Sequence, residues 1–145
     1  MFEPNLGDQV VLDHVAVVTD DLEGSAAAYT QLGYLASTVL IDEADDVELV
    51  FLTKLGSITI ELVYPRSPGS PVYSHLLKHG VGPYHTCYTV INLQDSIRQF
   101  KAKGFIKVTQ PRPAPAFAER CVVFMFHRKI GLIELLEAEL LDAEN

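Results

Sequence analysis

The stretch His14-Val15-Ala16-Val17-Val18-Thr19-Asp20-Asp21-Leu22-Glu23-Gly24-Ser25 has a counterpart 71 residues later, His85-Thr86-Cys87-Tyr88-Thr89-Val90-Ile91-Asn92-Leu93-Gln94-Asp95-Ser96. His14 falls on His85, Leu22 on Leu93, Ser25 on Ser96 and, further along, Gly33 on Gly104. Conservative pairs join them: Asp21 with Asn92, Glu23 with Gln94, Tyr29 with Phe100, Tyr34 with Phe105. Near the ends of the halves, at an offset of 73, Ile60-Glu61-Leu62 falls on Ile133-Glu134-Leu135. A change of two residues in the offset is what a loop insertion produces. Self-similarity of this kind outranks any local signal when a fold is read from sequence.

Each half reads as the same series of elements. A strand rich in Val, Thr and Tyr opens it, at about 10–18 and 84–91. Asp20 or Asp21 in one half, and Asn92 in the other, can N-cap a helix. The helices carry apolar residues at i, i+4 and i+7, namely Leu22, Ala26, Tyr29 and Leu93, Ile97, Phe100. Gly33 and Gly104 stand where a C′ glycine ends a helix. Three short strands follow, at about 35–41, 47–53 and 58–64, then 106–110, 120–126 and 130–136. The predicted fold class is α+β: two βαβββ modules in tandem, about 10–64 and 84–137, forming a cupped mixed β-sheet within a single domain 1–145.

The linker Pro65-Arg66-Ser67-Pro68-Gly69-Ser70-Pro71 has loop chemistry, and a short helix is expected over 72–79. A second proline-rich stretch, Pro111-Arg112-Pro113-Ala114-Pro115, is expected to be a loop lining a site. Asp42 to Glu48 holds five acids in seven residues and reads as a solvated acidic turn.

The composition, 48% hydrophobic and 21% charged over 145 residues, suits one core-forming globular chain. Eleven Lys and Arg against 19 Asp and Glu give a net charge of −8, which repels phosphate backbones and anionic lipid. Nucleic acid and membrane surfaces are therefore not expected partners. No apolar run approaches the roughly 20 residues of a membrane span, and residues 1–8 lack the pattern of a signal peptide. The expectation is a cytoplasmic protein, with a homodimer as its assembly. Cys87 and Cys121, 34 apart with no C-x-x-C, read as free thiols.

His14, Glu61, His85 and Glu134 all sit in apolar strand-like runs, where a carboxylate is seldom buried without a partner. Taken singly, each could point outward, since strand side chains alternate faces. The repeat itself, however, pairs first strand with first strand and last with last. Two imidazoles and two carboxylates make a ligand set for a divalent metal such as Zn, Ni, Co, Mn or Fe. Open coordination positions would make that metal a Lewis acid toward a substrate oxygen.

These residues carry a resemblance. The chain from Leu12 to Glu137 resembles the vicinal oxygen chelate (glyoxalase/bleomycin resistance/dioxygenase) superfamily, and within it the methylmalonyl-CoA epimerase family. Leu12-Asp13-His14-Val15-Ala16 is similar to that family's opening strand, and Val47-Glu48-Leu49-Val50-Phe51-Leu52 to its G-V-E-V-A-F-L strand, with Asp46 at the Gly. Ile60-Glu61-Leu62-Val63-Tyr64-Pro65, His85 and Gly131-Leu132-Ile133-Glu134-Leu135 match further motifs. The resemblance implies metal ligation by His14, Glu61, His85 and Glu134, with Glu48 and Glu134 as the acid/base pair. It also implies epimerisation alpha to a carbonyl, most simply of an acyl-CoA thioester such as methylmalonyl-CoA. Tyr84 stands where the family has the first His of a doublet. The segment 126–130 is short and 111–117 lacks the Gly-rich linker, both where an acyl-CoA would lie.

Proton exchange of this kind needs two acid/base groups flanking the carbon and a cation for the enolate oxygen. Arg112 and Arg120, with Arg128 and Lys129 behind them, are the candidate contacts to a CoA phosphate or substrate carboxylate. The alternatives are a glyoxalase I-like lyase, which shares the His, Glu, His, Glu order, an extradiol dioxygenase, and a metal-free drug-binding protein of the same fold. The absence of any Lys or Arg from Val15 to Thr53 counts against the lyase's glutathione-binding arginine.

Overall fold

A computed structural model of the chain describes residues 9–139. Its elements run β1 (Val10–Val18), α1 (Leu22–Gln31), β2 (Leu35–Ala36), β3 (Leu40–Asp42), β4 (Val47–Thr53), β5 (Thr59–Pro65), α2 (Pro71–His79) and β6 (Gly82–Val90). They continue with α3 (Leu93–Ala102), β7 (Ile106–Lys107), β8 (Arg112–Ala114), a 3₁₀ turn (Pro115–Phe117), β9 (Arg120–His127) and β10 (Gly131–Glu137). Asp13–Thr86 form one compact unit, and the described residues before and after them form a second. The fold class is α+β with mixed strand pairing. None of the described helices is long and apolar enough to cross a membrane.

In the first unit the strand order is β2-β4-β5-β1, with β1 parallel to β5 and the other pairs antiparallel. Cross-strand partners share a face. Val50, Leu52 and Leu62 are buried on the face covered by α1, with Val17, Ile60, Leu22, Ala26 and Tyr29 packed against them. The Asp21 side chain accepts the Gly24 N–H at 2.9 Å as N-cap, and Gly33, at φ +96, turns the chain out of the helix.

The second unit repeats these devices. Asn92 accepts the Asp95 N–H at 2.9 Å, and Gly104 sits at φ +95. Leu93, Ile97 and Phe100 of α3 are buried against Val123, Met125, Ile133 and Leu135. β9 pairs antiparallel with β10, β7 and β8. Neither cysteine is in a disulfide; Cys87 is buried and Cys121 half-buried.

Two expectations are corrected. The single strand foreseen over 35–41 is split into β2 and β3, because the Ser37 hydroxyl accepts the Phe51 N–H at 2.9 Å and breaks the ladder. The other half does the same: the Thr109 hydroxyl accepts the Phe124 N–H at 3.0 Å, which shortens 106–110 to β7. The proline-rich stretch is then no plain loop, since Arg112–Ala114 form β8, the counterpart of β3. Proline is tolerated there because an edge strand offers only one side to its neighbour.

The acidic turn is likewise only partly solvated. Asp42 is buried and accepts the Ala44 N–H at 3.1 Å. Asp46 occupies the left-handed region at φ +53, which Asp tolerates better than most residues. Its carboxylate accepts the Ser67 hydroxyl and lies 3.8 Å from Arg66.

Candidate metal centre

His14 lies on β1, Glu61 on β5 and His85 on β6, all within Asp13–Thr86. Ala16 pairs with Glu61 and Phe51 with Glu61, so β1, β4 and β5 turn His14, Glu61, Phe51 and Leu49 to the face opposite α1. His14 is 0% exposed, Glu61 5% and His85 6%, which is deep enough that ionised groups must answer one another. Glu61 Oε1 lies 3.5 Å from His14 Nε2 and 3.9 Å from His85 Nε2. The two imidazole centroids are 6.0 Å apart.

This donor set fits a divalent cation. Ligands about 2.0–2.2 Å from a common ion stand about 3.0–3.5 Å from one another, so a small closure of these three atoms would seat one. His14 is also oriented from behind: Asp13 Oδ2 lies 2.7 Å from its Nδ1. A carboxylate there fixes the proton on Nδ1 and leaves Nε2 to act as ligand. Phe51 packs edge-on against the His14 ring at 6.1 Å, and Tyr84 against the His85 ring at 5.1 Å. Neither Asp13 nor the two aromatic rings carries a role that the sequence expresses beyond the Asp13-His14 pair itself.

Glu134 lies on β10 in the second unit, opposite Phe124, and is 5% exposed between Ile133 and Leu135. Its strand position matches that of Glu61 in the first unit.

Glu48 is corrected. It pairs with Tyr64 and shares the face of Val50 and Leu52, so it points toward α1 and away from His14 and Glu61. There it lines a cleft of about 570 Å³ with Asp20, Asp21, Leu22, Ser37 and Tyr64. On the face that carries Glu61, β4 offers Leu49 and Phe51, neither of which transfers protons. Glu48 therefore cannot serve as a base for chemistry at the His14–Glu61–His85 cluster.

The candidate anion contacts also differ in availability. Arg120 donates from Nε to the Phe117 carbonyl and from Nη1 to the Glu137 carbonyl, both at 3.2 Å, which makes it a clamp between the 3₁₀ turn and the end of β10. Arg112, half-buried on β8, donates to the Pro113 carbonyl at 3.2 Å.

Comparison with known proteins decides the family. Residues 13–124 match the model of the glyoxalase/bleomycin resistance protein/dioxygenase superfamily. The chain belongs to that superfamily. Human mitochondrial methylmalonyl-CoA epimerase is 30% identical over 131 residues, 88% of this chain and 73% of the human protein. The ethylmalonyl-CoA/methylmalonyl-CoA epimerase of Cereibacter sphaeroides is 35% identical over 128 residues, 86% of this chain and 95% of that one. The crystal structure of methylmalonyl-CoA epimerase from Mycobacterium tuberculosis superposes with a TM-score of 0.80 at 26% identity, covering 97% of this chain and 94% of that one. Within the superfamily this member is an epimerase-like isomerase.

Proposed function

We propose that the chain is a metal-dependent epimerase that exchanges the proton alpha to the thioester carbonyl of a branched acyl-CoA, methylmalonyl-CoA first and ethylmalonyl-CoA second. The observation that carries this reading is the convergence of His14, Glu61 and His85 in a chain whose relatives are acyl-CoA epimerases. Glu134 completes the ligand set in this reading. Its support is the repeat, which places a buried Glu at the same point of the last strand in each half. The two modules, 10–64 and 84–137, then act as one domain around the ion, which is Co, Ni, Zn, Mn or Fe by its N and O ligands.

A divalent ion held there supplies positive charge to a carbonyl oxygen that becomes negative as the alpha proton leaves. The chain's own task is to move that proton from one face of the carbon to the other. Because Glu48 lies on the α1 face and Leu49 and Phe51 are apolar, no acid/base group comes from β4. Glu61 and Glu134 are therefore the proton-transfer pair, one removing the proton and the other returning it. Phe51, Leu49 and Val63 on the same face exclude water from the first of these carboxylates. Arg112 is the side chain proposed to meet an anionic group of the substrate.

The test is an acyl-CoA panel in deuterated water with metal-replete protein, read by mass spectrometry. Solvent deuterium should enter the alpha position of methylmalonyl-CoA at a rate tied to interconversion of its epimers. Glu61→Gln should slow this by roughly 10²–10⁴-fold, the usual loss for a general acid/base group. Glu48→Gln should leave it essentially unchanged, and a comparable loss in Glu48→Gln would overturn the assignment of the bases. No exchange across the panel would transfer the reading to a glyoxalase-like lyase or a binding protein.

A further inference from the structure

Of the chain's five histidines, His75 and His79 belong neither to the cluster on β1, β5 and β6 nor to the acid/base pair. They stand four residues, about one helical turn, apart at the C-terminal end of α2, on one side of the helix, with ring centroids 4.6 Å apart. We propose that this turn holds a second divalent transition-metal ion, chelated by His75 and His79.

Three arguments meet here. Two histidines at i and i+4 of a helix present their nitrogens to a common point, the spacing that zinc-binding helices use. The His75 ring is held in place, because it packs on Tyr84 with ring centroids 4.7 Å apart. Lastly, His79 is the final residue of α2, and a cation there meets the negative end of the helix dipole.

Two nitrogen ligands and a water-exposed side suit Cu²⁺ best, with Ni²⁺ and Zn²⁺ behind it in the usual affinity order. His79 is exposed, so its removal should not disturb folding, while His75→Phe keeps a ring against Tyr84 and removes the nitrogens.

The experiment is a Cu²⁺ titration of tag-free protein already carrying one equivalent of its central metal, followed by calorimetry and electron paramagnetic resonance. Wild type should bind one further Cu²⁺ with two equatorial nitrogens. His79→Ala and His75→Phe should each weaken that binding at least about tenfold and show one nitrogen, with deuterium exchange into substrate unchanged in His79→Ala. Lys78→Ala should match wild type. Equal Cu²⁺ affinity and nitrogen count in wild type and His79→Ala would overturn the site, as would loss in one histidine variant alone. The central metal is scored separately by its dependence on His14, so failure of one site does not imitate failure of the other.

Discussion

Asp13 touches no substrate in the proposed chemistry, yet it decides which nitrogen His14 offers. With Oδ2 2.7 Å from Nδ1, the carboxylate holds the tautomer whose Nε2 lies 3.5 Å from Glu61. Asp13→Asn keeps the shape and removes the charge, so we expect central-metal affinity to fall by about 10–100-fold with the fold intact. Competition against a chromophoric chelator measures this, and unchanged affinity would reduce Asp13 to a surface acid. At this scale the sequence singles out buried polar residues and hides their orientation. His14, Glu61, His85 and Glu134 stand out because the repeat pairs them, and all four are buried. Glu48 was misleading because Val47-Glu48-Leu49-Val50-Phe51-Leu52 is apolar on both faces, so alternation carries no sign of which face meets α1. Only the register of β4 on β5 supplies it.

The two helices use the same cap chemistry in unequal settings. Leu93, Ile97 and Phe100 of α3 are buried, whereas α1, with Gly24, Ala27 and Ala28, buries none of its residues. Loss of an N-cap costs about 1 kcal/mol in either helix. Asn92→Ala should therefore lower the global stability read by urea denaturation, because α3 cannot fray without opening its core. Asp21→Ala should appear mainly as faster amide hydrogen exchange confined to α1. An equal global effect of the two variants would mean that α1 is as tightly docked as α3. Helices, caps and C′ glycines were legible since each is a local signal. The splits at Ser37 and Thr109 were not, because one hydroxyl replacing one ladder bond depends on a strand more than ten residues away. For the same reason β8 was hidden: prolines announce a loop, while an edge position accommodates them.

For the whole molecule, the ion is expected to act as a fold-state ligand as well as a catalyst. Buried His14, Glu61 and His85 stand close enough together for a cation to bridge them. At free metal about 1,000-fold above its dissociation constant, binding adds about 4 kcal/mol to the folded state. Dialysis against a chelator should lower the melting temperature and raise amide exchange first in β1, β5 and the opening residues of β6. A melting curve indifferent to the chelator would show that the three side chains hold their places without a cation. The continuity of Asp13–Thr86 has one more consequence. His14, Glu61 and His85 emerge from the ribosome as one uninterrupted segment, while Glu134 follows 49 residues after His85, several seconds later at roughly 5–20 residues per second. Nascent chains arrested after β6 has cleared the exit tunnel should already retain zinc, and bare ones would contradict this order. Translation would then set the order of assembly, with the three donors of Asp13–Thr86 able to capture metal before the rest of the chain is made.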